Sequence, residues 1–304
     1  WAIAQALVTY GQDAVDPYLP LMIWYGVEPL VQADRARALQ LAVASRLPRV
    51  RRFIARRALD TKQPMMEDVV QVALGVKEPA ARLDFLQGML AVLVQHGVGD
   101  KKHAEYIVEC CRMLTVRGII ALAIDAPRRG ERKGPGKRGP DMWNLPEVRK
   151  WFGQHCGDYS RALDYLSTRK DVDVERLGYV GFSWGAITGI TFAAHDERVR
   201  ALTSVVGGGL LSLLGKDLDP VHNVGRIAPR PLLFLNATKD RVVLRPFATS
   251  LHKAAGKGAV VQWHETDHTF STLDRPKIMG MISDFMKASL KKKVAAKNKA
   301  ALGK

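Results

Sequence analysis

The chain has 304 residues, of which 47% are hydrophobic, and a formal net charge of +16. That length and composition can bury a core in one large domain, with or without an appendage. The apolar runs are shorter than the ~18 to 20 residues that span a bilayer, so we expect no transmembrane segment. The start shows no basic stretch followed by an apolar core, so we expect no secretory signal and a cytoplasmic location.

The positive charge is concentrated in three runs. Residues 35–57 hold eight arginines and no acid, residues 128–138 hold six basic residues and one acid, and the last eighteen residues hold seven lysines and no acid. Together these runs carry +20 against +16 for the whole chain, so the remainder is slightly acidic. We therefore predict no nucleic-acid partner, a solvated arginine-rich face and a disordered tail over 291–304.

Residues 1–88 are predicted to form a helical N-terminal segment. In 35–59, apolar residues recur at helical spacing, and Pro48 is expected to split or kink that helix. Further helices are predicted over 67–74 and 80–87, separated by the turn before Ala80 and ended by Gly88. The proline-broken stretch 16–25 carries no motif, and we expect it to pack on the main domain.

From residue 90 onward, short apolar segments alternate with amphipathic ones. This order predicts an α/β fold with a mainly parallel sheet and helices on both faces, in a catalytic domain over 89–290. The predicted strands are 90–95, 119–124, 177–180, 201–206, 231–235 and 259–263, and the predicted helices are 102–117, 147–168, 184–195, 245–255 and 274–290. The long loops 127–140 and 207–225 follow strand ends, where such sheets bind ligands.

Three cysteines, Cys110, Cys111 and Cys156, are too few and too unevenly spaced for a disulfide framework or a metal site. We predict that all three are reduced and structural.

The segment Gly181-Phe182-Ser183-Trp184-Gly185 fits G-x-S-x-G, between a predicted strand and a predicted helix. A serine at such a sharp turn needs small residues two positions before and after it, because backbone crowds there. Ser183 is therefore a candidate nucleophile. Taken alone, the pentapeptide is weak evidence, since glycine-rich turns are common in α/β proteins.

A serine hydroxyl needs a histidine to take its proton and a carboxylate to orient that histidine. Asp240 and His268 follow the next two predicted strand ends, and they are our candidates for acid and base. His264 is the rival base, although it is expected at the end of a strand. The rival acids, Glu265 and Asp267, are too close in sequence to His268 to orient its ring easily.

Acyl transfer also requires donors aimed at the developing oxyanion. One candidate is the amide of Trp184, which follows the nucleophile at a helix N-terminus. The other is the amide of Val98, with Gly97 next, in the loop after the first central strand. His96 in that loop is predicted to brace it.

Taken together, these motifs, with Gln95-His96-Gly97, Asp125, Gly130-Glu131-Arg132 and Ala228-Pro229-Arg230-Pro231, resemble the α/β-hydrolase superfamily over about residues 90–290. The greatest likeness is to dienelactone hydrolase-like and acetyl xylan esterase-like enzymes. It implies ester hydrolysis through an acyl-enzyme, without metal or organic cofactor. Ser183 would then be the nucleophile, Asp240 the acid, His268 the base, and Val98 and Trp184 the oxyanion donors.

Three departures limit what the resemblance implies. Dienelactone hydrolases proper use cysteine where this chain has Ser183, the usual antiparallel strand pair before the first central strand is not evident, and no His-Gly-Gly-Gly segment occurs. We predict a serine esterase acting on a small-molecule ester, with Trp184 and the two long loops shaping the pocket. The alternatives are a serine peptidase or thioesterase of the same fold, or an inactive hydrolase fold that serves as a binding scaffold. The oligomeric state is left open.

Overall fold

A computed structural model of the chain describes residues 1–59, 66–86, 89–134, 144–210, 212–271 and 275–291. The end of the predicted loop 127–140, the predicted helix stop at Gly88 and nearly all of the predicted tail lie outside the described residues. Within these ranges, no helix combines the length and apolar character needed to cross a membrane.

Six parallel strands form one sheet, in the order β2-β1-β3-β4-β5-β6. Their bounds are β1 Met89–Gln95, β2 Ile119–Ala123, β3 Val172–Phe182, β4 Val199–Val205, β5 Leu232–Ala237 and β6 Val260–His264. Every predicted strand is present. β3 starts five residues earlier than predicted, because residues 173–176 are partly or wholly exposed and charged residues interrupt any apolar run there.

Helices cover both faces of the sheet, which confirms the predicted fold class. They are α7 Glu105–Val116, α8 Leu145–Thr168, α9 Trp184–His195, α10 Pro220–Asn223, α11 Arg245–Ala255 and α12 Arg275–Lys291. α7 and α12 pack on one face of the central strands, whereas α8, α9 and α11 pack on the other. The strand side chains alternate between these two clusters, so the middle of the sheet is buried on both sides.

The chain before the sheet is helical, as predicted. Its helices are α1 Ala2–Leu7, α2 Leu19–Ala33, α3 Arg35–Ala44, α4 Pro48–Leu59, α5 Met66–Gly75 and α6 Pro79–Leu86. Pro48 does split the arginine-rich helix, because it takes the first position of α4, where a missing N–H is harmless. These helices bury a hydrophobic cluster that reaches Met89 and Ile120 of the sheet. The domain division at 88/89 itself stays a prediction.

One prediction about the N-terminal segment is wrong, and another fails at a single residue. The stretch 16–25 was expected to pack on the main domain, but α2 packs chiefly on α3 and α4, through Ile23, Val27 and Val31. The arginines of 35–57 are exposed or partly exposed, in line with the predicted solvated face, apart from Arg51, which is only 8% exposed and pairs with Asp84 at 3.1 Å. Arg51 of α4 can be buried because Asp84 of α6 neutralises its charge.

The cysteines are free, as predicted. Cys110 is buried in α7, and Cys111 and Cys156 are partly buried. Burial raises the pKa of the Cys111 thiol to about 11 and that of Cys156 to about 12. Both thiols are therefore protonated and unreactive near neutral pH.

Candidate active site

Ser183 lies at the sharp turn between β3 and α9, at the C-terminal end of the central strands. Its backbone has φ 51° and ψ −114°, a left-handed conformation that disfavours a residue with a side chain. Its amide donates to the Val205 carbonyl at 2.8 Å, which holds the turn against β4. The geometry exposes the hydroxyl above the sheet, as a nucleophile elbow requires.

The two glycines of the motif are required by close backbone contacts. A Cβ on Gly181 would overlap the carbonyl of Gly185, and a Cβ on Gly185 would lie 2.7 Å from the carbonyl oxygens of Gln95 and His96. These contacts confirm the crowding that the motif predicts. They also hold the turn against the loop that follows β1.

Gly181→Ala should therefore destabilise the fold strongly. We expect a loss of at least ~3 kcal/mol in the free energy of unfolding, because the new methyl group meets backbone that cannot move independently. Gly153 in α8 is the matched control, since nothing lies within 4 Å of its missing Cβ. Gly153→Ala should be neutral or stabilising by up to ~1 kcal/mol. Urea unfolding would measure both, and equal stability of the two variants would contradict this account.

The structure brings Ser183, His268 and Asp240 into one hydrogen-bonded chain. The Nε2 atom of His268 lies 2.9 Å from the Ser183 hydroxyl, and its Nδ1 atom lies 2.8 Å from Oδ2 of Asp240. His268 stands in the loop after β6 and Asp240 in the loop after β5. Three loops from neighbouring regions of the sheet edge thus supply a hydroxyl, an imidazole and a carboxylate.

Asp240 is held as a carboxylate. Burial opposes its charged form, but hydrogen bonds from His268 and from the amides of Val243 and Val242 outweigh that effect, so its pKa lies below the ordinary 3.8. Its side chain is only 5% exposed. A buried, ionised Asp240 fixes the Nδ1–H tautomer of His268 and leaves Nε2 free to accept a proton from Ser183.

The rival residues serve other contacts. His264 ends β6 and packs edge-on against Phe270, with ring centroids 6.2 Å apart. Asp267 accepts hydrogen bonds from Thr269 and Ser271 within its own loop, and Glu265 pairs with Lys239 at 3.1 Å. Among the described residues, the His268 ring is hydrogen-bonded to Ser183 through Nε2 and to Asp240 through Nδ1, with Asp240 as the acceptor.

The loop after β1 lies beside Ser183. The Gly97 amide donates to the Tyr106 hydroxyl at 3.0 Å, and that hydroxyl donates to Asp100 at 2.9 Å. The Gly97 amide is therefore already hydrogen-bonded to Tyr106. The assignment of the Val98 amide as the second oxyanion donor stays a prediction. Sequence reasoning missed Tyr106, which stands nine residues away on α7 and has no motif around it.

His96 and Asp125 tie this loop to the loop after β2. The buried His96 accepts a hydrogen bond at Nε2 from the Ala126 amide and donates from Nδ1 to the Gly97 carbonyl, so its ring is neutral. Asp125 accepts from the amides of Lys102 and Glu131, at 2.8 and 3.0 Å. These contacts fit the bracing role predicted for His96.

The Trp184 side chain is buried rather than an open pocket wall. It is 7% exposed and stacks on Trp151, with ring centroids 5.2 Å apart and nearly parallel planes. Phe152 meets it edge-on, and Leu214 from the long loop after β4 completes the cluster. The Trp184 ring is therefore covered by this cluster, and the prediction that it shapes the pocket gains no support from its position.

His155 lies against this aromatic cluster and should make stability depend on pH. Burial lowers its pKa to about 4, although a hydrogen bond to the Trp151 carbonyl and the nearby Asp158 charge partly oppose the shift. The pKa of His155 is 6.5 in the unfolded chain and about 4 in the folded protein. Between these two pH values the ring is protonated in the unfolded chain but neutral in the folded protein. The free energy of unfolding therefore decreases as pH falls through that window.

His155→Gln should flatten that dependence. Because one pKa unit corresponds to about 1.4 kcal/mol, His155 accounts for a loss of about 2 kcal/mol between pH 7 and pH 5, which the variant should not show. His103→Gln is the control, since the His103 side chain is 63% exposed. Urea unfolding at both pH values measures the effect, and a variant with the wild-type pH slope would contradict it.

The chain matches the model of a known protein family. A model of the dienelactone hydrolase family matches residues 85–301. The Bacillus subtilis protein named "Putative hydrolase YtaP" is 29% identical, over 56% of this chain and 68% of its own length. A Yersinia pestis protein named "Putative carboxymethylenebutenolidase" is 24% identical, over 62% of this chain and 70% of its own length.

A solved structure supports the architecture. A cold-adapted esterase from an Arctic intertidal metagenomic library superposes with a TM-score of 0.54 and 23% identity, covering 67% of this chain and 83% of that one. This likeness shows the α/β-hydrolase fold. Since the family model spans most of the chain, including the elbow and every strand of the sheet, the chain belongs to the dienelactone hydrolase family and is a hydrolase acting on esters.

Proposed function

We propose that the protein is a serine esterase in which Ser183, His268 and Asp240 form a catalytic triad and an acyl-enzyme forms on Ser183. One observation carries the proposal: the unbroken hydrogen-bonded chain from the Ser183 hydroxyl through the His268 ring to the Asp240 carboxylate, at a strained turn above the sheet. Family membership supports ester hydrolysis in general, and this geometry supports the particular mechanism.

The reaction would proceed in two halves. His268 takes the proton of Ser183 at Nε2 as Oγ attacks the ester carbonyl, and Asp240 stabilises the imidazolium that forms. The amides of Trp184 and Val98 donate to the oxyanion, each contributing roughly 3 kcal/mol to transition-state stabilisation. His268 then protonates the departing alcohol. The same ring then deprotonates a water molecule that attacks the acyl-enzyme, and it returns that proton to Ser183 Oγ as the acyl C–O bond breaks and the carboxylic acid leaves.

Ser183 as the nucleophile is consistent with a carboxylic ester as the substrate. A serine alkoxide must be generated at the moment of attack, and the buried Asp240 supports that proton transfer to His268. The loops after β1, β2 and β4 reach the same end of the sheet, so they would contact the acyl and alcohol groups. A small-molecule ester with an activated or simple alcohol fits this arrangement.

Pre-steady-state hydrolysis of p-nitrophenyl acetate tests the mechanism. We expect a burst of p-nitrophenol close to one equivalent of enzyme when deacylation is slow, and acetate attached to the peptide containing Ser183 by mass spectrometry. The matched p-nitroanilide of acetate should be hydrolysed far more slowly. A label on another residue would contradict the triad, and faster cleavage of the anilide would favour the peptidase alternative.

A further inference from the structure

Tyr106 joins the loop after β1 to the nucleophile elbow. Its ring meets Phe182 edge-on, with centroids 5.1 Å apart, and Phe182 directly precedes Ser183. Its hydroxyl oxygen lies 3.0 Å from the amide nitrogen of Gly97, in the loop. A single side chain of α7 therefore contacts both the elbow and the loop beside it.

Gly97 is in close contact with the nucleophile. A Cβ added to Gly97 would lie 3.3 Å from the Ser183 Cβ and 3.7 Å from the Tyr106 hydroxyl oxygen. The first of these distances is shorter than the optimal separation of two carbon atoms, about 3.5 to 4.0 Å. Any shift of the Gly97 backbone therefore changes the space directly beside Ser183, and the hydrogen bond to Tyr106 opposes such a shift.

Residues 97–100 form a tight turn that does not engage the Val98 amide. The Asp100 amide donates to the Gly97 carbonyl at 3.4 Å, and Gly99, the third residue of the turn, has φ 94°. A positive φ at the third residue is typical of a type II turn, and glycine adopts it without strain. Val98, the second residue, is 50% exposed, and its amide donates no hydrogen bond within the described part of the chain. The predicted oxyanion donor is therefore held through its neighbours in the turn.

Tyr106 can hold Gly97 because Asp100 orients its hydroxyl. A tyrosine hydroxyl both donates and accepts hydrogen bonds, whereas a carboxylate only accepts them. The Tyr106 hydroxyl donates to Oδ2 of Asp100 at 2.9 Å, which leaves its oxygen lone pairs for the Gly97 amide. Burial raises the pKa of Tyr106 above its usual 10.0, against the hydrogen bond from Gly97, so the hydroxyl keeps its proton near neutral pH.

We propose that Tyr106 is a positioning residue for ester hydrolysis: its hydroxyl, oriented by Asp100, fixes the turn so that the Val98 amide meets the oxyanion. Tyr106 acts through the backbone of Gly97 rather than by contact with the ester. Oxyanion donors are effective because they are held in place before charge develops, so a loosened turn raises the barrier without removing a reacting group. This role rests on the proposed esterase mechanism, with Val98 as the second oxyanion donor.

Tyr106→Phe tests this role, because it removes the hydroxyl and keeps the ring on Phe182. We expect kcat for p-nitrophenyl acetate to fall about 10- to 100-fold, less than the loss of about 10²- to 10³-fold on deleting an oxyanion donor outright. KM should change by less than about twofold, because the oxyanion is absent from the bound ester. Tyr165→Phe is the matched control: Tyr165 lies on α8 and is 52% exposed, so both constants should stay unchanged.

Asp100→Ala shows whether the two side chains act as one unit. It should lower kcat about 3- to 10-fold, since the Tyr106 hydroxyl loses its acceptor. Added to Tyr106→Phe, it should lower kcat by less than about twofold further, because changes to one hydrogen-bonded pair are not additive. Asp100→Asn keeps an acceptor oxygen and should recover most of the activity that Asp100→Ala loses. Because Asp100 is exposed, this loss and recovery test the role even if Tyr106→Phe folds poorly.

Acetylation by p-nitrophenyl acetate separates this role from the mechanism on which it rests. Mass spectrometry should find the acetyl group on Ser183 in both the wild type and Tyr106→Phe. If the wild type carries it there but Tyr106→Phe or Asp100→Ala keeps the wild-type kcat, the positioning role is overturned while the triad stands. A loss expressed mainly in KM, or full additivity of the two changes, would also overturn the role. An acetyl group on another residue of the wild type would overturn the triad itself, and the role of Tyr106 with it.

Discussion

Ser183→Ala should reduce kcat for p-nitrophenyl acetate by about 10⁴- to 10⁶-fold, the range found when the serine of such a triad is removed. The reason is that no other hydroxyl can replace this nucleophile. Among the described residues, only Ser183 Oγ is hydrogen-bonded to Nε2 of His268. The variant should fold normally, since alanine preserves the backbone contacts of the elbow. Steady-state hydrolysis and thermal unfolding together measure the two expectations.

Ser204→Ala provides the matched control for that experiment. Ser204 lies on β4, directly beside Gly181 of β3, and its hydroxyl is buried without a hydrogen-bond partner in the described structure. Its removal should leave hydrolysis within a few-fold of the wild type. Equal rates for Ser183→Ala and the wild type would instead favour an inactive fold that serves as a scaffold.

His268→Ala should be nearly as damaging, with a loss of ~10⁴-fold or more in kcat. Without the ring, the Ser183 hydroxyl has no base to accept its proton, and the Asp240 carboxylate has no imidazolium to stabilise. The effect should appear in kcat rather than in KM, because the lost interactions form in the transition state. Progress curves over a range of ester concentrations separate the two parameters.

His264→Ala is the comparison that identifies the base. His264 lies four residues earlier, at the end of β6, and contacts Phe270 rather than Ser183. Most activity should remain after this change. If His264→Ala were the inactive variant and His268→Ala the active one, the assignment of the base would be reversed.

The parallel sheet was accessible from sequence because its strands are short apolar runs separated by helices of ordinary length. β5 and β6 were predicted to within two residues at each end, since glycine, proline or charge bounds both. The predicted range of β3 was too short at its start because residues 173–176 are partly or wholly exposed and do not form an apolar run. Helix α2 was missed because Pro17, Pro20 and Pro29 suggest breaks, although Pro20 occupies a first-turn position that tolerates proline.

The three candidate triad residues could be placed because each follows a strand and chain order restricts the choice. Their supports could not be placed. Tyr106, His155 and the pairing of Arg51 with Asp84 depend on contacts between segments with no periodic or motif-based relation. Trp184 shows the same limit, because the sequence locates its amide beside the nucleophile but cannot reveal that Trp151 covers its ring.

The left-handed backbone at Ser183 sets function against stability. Glycine adopts φ 51° without the strain that a side chain meets there, so selection for folding alone would favour glycine at position 183. The chain instead has a serine at this unfavourable backbone conformation, and the packed strands beneath it hold the turn. Stabilising substitutions are therefore better sought at distant, unconstrained positions of the helices than around the elbow.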